Sequence, residues 1–148
     1  MKLFAVILTA AAMSFAFAAD DSSPFVGTWK LDAQKSKFKP GPGPTSETVT
    51  IGADGKVAVD ETMSDGHTQA WSYTYMENQT VPITGMENSS VLEKRPDSRH
   101  VEHTWTFNRG TMHGKGVVSK DGKTMHYTMT GTTASGKRED DDMVFEKQ

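Results

Sequence analysis

A glycine-terminated turn recurs along this chain. Ala53-Asp54-Gly55, Ser64-Asp65-Gly66, Asn108-Arg109-Gly110, Lys120-Asp121-Gly122 and Ala134-Ser135-Gly136 each follow a short run of alternating polar and apolar residues. Turn signals come roughly every 8–12 residues, and no stretch beyond the N-terminal leader carries a helical period. That pattern predicts an all-β sandwich or barrel. Strands are expected at 25–31, 46–52, 56–63, 67–76, 79–84, 89–95, 99–107, 111–119, 123–131 and 137–147. The one long connection, 32–45, reads DAQKSKFKPGPGPT, and its Pro/Gly half must be loop.

A tripeptide ending in Gly suits a three-residue hairpin loop closed by a left-handed Gly. A two-residue loop would shift the register by one and turn every side chain to the other face. In the first hairpin the three-residue loop pairs Val49 with Val59 and Ile51 with Val57, giving one apolar face. In the next it sets Val59 opposite Trp71 and Val57 opposite Tyr73. Applied to the last four strands, it predicts three inward rows: Val101, Val117, Met125, Phe145; then His103, Lys115, Tyr127, Met143; then Trp105, His113, Met129, Asp141. At 120–122 a two-residue loop would bring Val118 inward instead, and the three-residue loop is kept there for consistency with the neighbouring hairpins. The expected fold is therefore an antiparallel up-and-down β-barrel of 8–10 strands. Its interior should run from an apolar end, beside Trp29, to a polar mouth under the 32–45 loop.

Residues 1–18 read as a secretory signal peptide: Lys2, an apolar LFAVILTAAAM core and an Ala16-Phe17-Ala18 cleavage site. Residues 19–148 then form one domain. The chain has no Cys, so an exported domain must hold by packing alone. Of 16 Lys and Arg, Lys2 leaves with the leader, setting 15 basic residues against 19 acidic ones, a net charge of about −4. That balance argues against nucleic acid or an anionic membrane as partner. The expectations are a bacterial periplasmic or secreted protein, without integral membrane association once cleaved, and monomeric.

Gly27-x-Trp29 opening the first strand, a long first loop over the mouth and a hairpin meander resemble the lipocalin/calycin superfamily. The stretches KSKFKPGPGPTSETVTI, Val81-Pro-Ile-Thr-Gly85, VSKDGKT at 118–124 and the Phe145-Glu-Lys-Gln end are similar to small exported bacterial lipocalin-like proteins of unassigned function. A ten-stranded barrel opening with Gly-x-Trp also resembles the nitrobindin-like haem proteins. The lipocalin resemblance implies that Gly27 and Trp29 form a barrel floor, and that a late-strand Arg covers the indole. Arg138 falls at the other end, whereas Lys147 lies at the right one. The Thr-Asp-Tyr lipocalin signature is absent.

The site expected from these rows is a cavity for a small, mainly apolar or amphiphilic ligand. Trp71, Tyr73, Met125 and Tyr127 would wall it, His103, His113 and Lys115 would meet a polar head, and Trp105, Met129 and Asp141 would lie at the mouth. Other readings are a filled barrel acting through its surface loops, and a metal or haem carrier using the His113–Met129 row. A wet polar rim explains that row more simply, and no metal or other cofactor is assigned. His100 and His103 stand on opposite faces, so they are no chelating pair. Seven Met remain beyond the leader, and core filling accounts for them as well as ligand contact does. Glu139-Asp140-Asp141-Asp142 alternates sides of its strand and reads as a solvated edge. With no nucleophile elbow, no Cys and no phosphate-binding Gly loop, the chain is not expected to be an enzyme.

Overall fold

A computed structural model describes residues 23–148. The signal-peptide reading and its cleavage site lie outside the described residues. Ten antiparallel strands follow one another: β1 Gly27–Leu31, β2 Ser46–Ile51, β3 Lys56–Thr62, β4 Thr68–Thr74, β5 Thr80–Pro82, β6 Ser90–Asp97, β7 His100–Phe107, β8 Gly110–Val118, β9 Thr124–Thr132 and β10 Arg138–Lys147. No helix occurs among the described residues. The strands form one sheet in the order β4-β3-β2-β1-β10-β9-β8-β7-β6-β5. Its two edges meet at an isolated bridge, where Ser72 and Thr84 exchange backbone bonds of 2.9 and 2.8 Å. The sheet is thus a nearly closed up-and-down barrel, and closure removes most of the exposed edge.

Three hairpins have the register their turns predict. Val49 pairs with Val59, Ile51 with Val57, Val59 with Trp71, Val57 with Tyr73, Met125 with Phe145 and Tyr127 with Met143. β8 departs from the expectation at both its ends. Asn108 and Arg109 alone make the β7–β8 turn, so Phe107 pairs with Gly110 and Val101 meets Gly116 rather than Val117. At the other end Val118, not Val117, pairs with Met125. Met112, Gly114, Gly116 and Val118 therefore face in, while His113 and Lys115 are exposed to solvent. The reason is space. A Cβ on Gly114 would collide with Oη of Tyr127, and one on Gly116 would lie 2.7 Å from a Val101 methyl carbon. The strand turns its glycines inward because the Tyr127 ring occupies the room.

The floor forms where the two ends of the described chain meet. Trp29 is fully buried, and its Nε1 donates to the Phe25 carbonyl at 2.8 Å. Lys147 crosses it, with Nζ 5.0 Å from the indole centroid and donating to the Pro24 carbonyl at 3.0 Å. This is the position the lipocalin pattern gives to an Arg. Gly27 has a φ of +136°, and a Cβ there would sit 2.7 Å from Lys147 Cε. Glycine at this position serves both the backbone and the lysine stem.

β1 is short, and the following segment fills the edge it leaves on β10. Lys37 exchanges backbone bonds with Asp142, and Asp140 N–H donates to the Lys39 carbonyl. Residues 40–44 then pass over the mouth before Thr45 rejoins β3 through Thr62.

Replacing Gly114 with alanine is expected to cost about 1–3 kcal/mol through overpacking against Tyr127, read as a lower urea midpoint. With a three-residue turn Gly114 would face solvent, and the same alanine would be neutral or stabilising. Equilibrium urea unfolding of the two proteins separates the registers.

Candidate functional site

The barrel encloses a cavity of about 530 Å³ running from the floor to the mouth. It is not a barrel filled by its own side chains. Phe25, Ile51, Val57, Val101, Met125 and Phe145 line its lower end. Phe38, Phe107 and Met129 line the upper end, with Pro42 and Pro44 of the loop over the mouth.

A polar girdle crosses the middle. Glu93 is 4% exposed yet carries a carboxylate. Arg95 Nε donates to its Oε1 at 2.6 Å, and Tyr73 Oη donates to its Oε2 at 2.7 Å. His103 Nε2 lies 3.0 Å from Tyr73 Oη and 3.2 Å from Glu93 Oε2. On its other side, His103 Nδ1 is 3.0 Å from Tyr127 Oη, which accepts from Trp105 Nε1 at 3.1 Å. Burial opposes the charge on Glu93, but bonds from His103 and Tyr73 and the charges of His103 and Arg95 outweigh it, leaving its pKa at about 2. Burial also raises the hydroxyl of Tyr73, helped by the Glu93 charge, and that of Tyr127. Both tyrosines are therefore fixed as neutral hydrogen-bonding groups.

Above the girdle the Trp71 and Trp105 rings meet edge to face, with centroids 5.4 Å apart. Trp71 Nε1 and Gln69 Nε2 both donate to Oε1 of Glu61, at 3.1 and 2.6 Å. Glu47 stands directly opposite Glu61 across the β2–β3 pair, and Asp141 reaches the same part of the cavity. Glu47 is half-buried on the cavity wall. Burial first, then the charges of Glu61 and Asp141, pushes its pKa up to about 8. Burial likewise raises Asp141, against the Lys39 N–H that donates to its Oδ1 at 3.1 Å. Among the described residues, no three His, Asp or Glu side chains come together closely enough to hold a metal ion.

Of the residues singled out from the sequence, Trp71, Tyr73, His103, Trp105, Met125, Tyr127, Met129 and Asp141 all line this cavity. His113 and Lys115 do not. They lie on the outer face of β8, where Lys115 Nζ is 3.9 Å from Glu102. The slipped strand takes them out of the site, and no head-group contact can come from them.

Glu47, Glu93 and Arg95 are among the cavity residues that the row-by-row reading misses. Period-two alternation does carry a signal for each. Glu47 shares a face with Val49 and Ile51, while Glu93 and Arg95 follow Val91. A charged residue at an inward position simply reads as an error of phase.

No protein-family model matches the chain, and no curated protein matches its sequence. Among solved structures, a de novo designed fluorescence-activating β-barrel is similar at a TM-score of 0.43, with 14% identity over 88% of this chain and 100% of that one.

The two carboxyl groups impose opposite pH dependences. Glu93 is depressed, so its contribution to stability is complete above its unfolded pKa, near 4.5, and is lost as pH falls toward about 2. Glu47 is raised, so its contribution is complete below about 4.5 and is lost as pH rises through about 8. Glu47→Gln is therefore expected to change stability little at pH 4 and to gain on the parent steadily toward pH 9. Urea midpoints across that range measure the difference. A constant offset would contradict a raised Glu47.

Proposed function

We propose that this chain is an exported carrier for a small, mainly apolar molecule held inside the barrel. The observation that carries the reading is the 530 Å³ cavity, whose walls are apolar and aromatic and whose few polar groups converge at its middle and upper parts. Tyr73, Trp105 and Tyr127 form the fixed wall, and the girdle behind them holds their orientation. His103 and the carboxyl groups of Glu47 and Glu61 are the polar groups that a bound molecule meets. Lys147 over Trp29 supports a lipocalin-type reading of the floor. The mature protein acts in the periplasm or outside the cell, as a monomer, and performs no chemistry on its cargo.

Titration with the neutral environment-sensitive dye N-phenyl-1-naphthylamine tests the proposal. The dye is expected to brighten on binding, with transfer of excitation from the cavity tryptophans. Met129→Trp, which fills the upper cavity, should weaken binding at least tenfold. Failure of the dye to bind up to its solubility limit, or binding unaffected by Met129→Trp, would overturn the internal-cavity reading.

A further inference from the structure

Acidic groups outnumber basic ones along the cavity, where Glu47, Glu61, Glu93, Glu139 and Asp141 all line it. Among the described residues lining it, Arg95 is the sole Lys or Arg, and its guanidinium is already committed to Glu93. Among the described lining residues no Lys or Arg pairs with Glu47, Glu61 or Asp141; His67 stands among the lining residues, and the charge of Lys137, which is not one of them, acts on Asp141. Glu47 and Glu61 stand as a directly opposed pair on adjacent strands, an arrangement that destabilises a sheet when both are charged. Both bonds to Glu61 go to Oε1, leaving Oε2 free of them. Asp141 is 7% exposed, and its one backbone donor reaches Oδ1. No hydrogen bond from a described residue relieves Glu47, which is half-buried. Beside these groups stand two indole rings, the aromatic faces best suited to a positive charge.

We propose that the cavity takes an organic cation, an alkyl or aryl body bearing one ammonium group. Its charge sits among Glu47, Glu61 and Asp141, against the Trp71 and Trp105 rings. The apolar lower cavity receives the body of the molecule. This rests on the carrier reading above and adds the class of its cargo. A cation also relieves the repulsion of the carboxyl groups, so binding and barrel stability are coupled. An anionic amphiphile would meet three acidic groups and no free base, and a metal ion alone would leave the apolar lower half unfilled.

The test is a comparison of three ligands of equal chain length and different charge: decylammonium, decan-1-ol and decanoate. Each is titrated below its micellar concentration against the full chain at pH 7, following tryptophan fluorescence, with N-phenyl-1-naphthylamine as the neutral reference. Decylammonium is expected to bind at least tenfold more tightly than decan-1-ol, and decanoate most weakly. In the Glu47→Gln/Glu61→Gln double variant, decylammonium should fall to within about threefold of decan-1-ol, whose own affinity should not drop. The ranking in the parent protein needs no variant to fold. If the dye binds but decylammonium is no tighter than decan-1-ol, the cation assignment is overturned and the carrier reading stands. If neither the dye nor any of the three binds, the carrier reading fails and this one with it.

Discussion

A carboxylate buried in the wall of a small barrel constrains everything around it. Glu93 keeps its charge only because Arg95, Tyr73 and His103 surround it. An unpaired charge there would be strongly unfavourable. Those partners are in turn tied to Tyr127 and Trp105. Four aromatic or imidazole rings thus lose their freedom to swing inward. A hollow barrel lined by unrestrained large side chains would tend to collapse its own cavity, because empty apolar space forfeits dispersion contacts. The polar chain around Glu93 holds those rings against the wall.

The same chain explains the glycines of β8. Once Tyr127 must present its hydroxyl to His103, its ring crosses the inner face of the neighbouring strand at Gly114 and Gly116. Small side chains there are a requirement of the network. It reaches along the sheet to the two-residue turn at Asn108 and Arg109, which sets the phase that turns the glycines inward.

Fold class, strand order and three of the hairpin registers were legible because each rested on paired apolar residues, such as Val49 with Val59 and Met125 with Phe145. A wrong phase there would have exposed several large groups at once. β8 offered no such penalty. Its sequence GTMHGKGVV offers glycines on one face and His and Lys on the other, and with Val117 beside Val118 either phase turns one valine inward. The turn tripeptide is then the stronger cue, and it points one residue astray. The site shows the same division. Aromatic and methionine wall residues were found through their apolar rows, and His103 through its place between them. Glu47, Glu93 and Arg95 were not, because inward charge is recognisable only once the partners across the barrel are known. Glu93 meets Tyr73 across the seam where the two edges of the sheet come together, a contact that hairpin pairing cannot reveal.

The floor has a practical side. Gln148 N–H donates to the Thr28 carbonyl, and Lys147 holds Pro24, so both ends of the described chain emerge together beneath Trp29. The mouth opens at the opposite pole. A fusion partner, an affinity tag or a surface linker attached at either end would therefore stand behind the barrel rather than in front of it. Molecules immobilised this way would all present their openings outward.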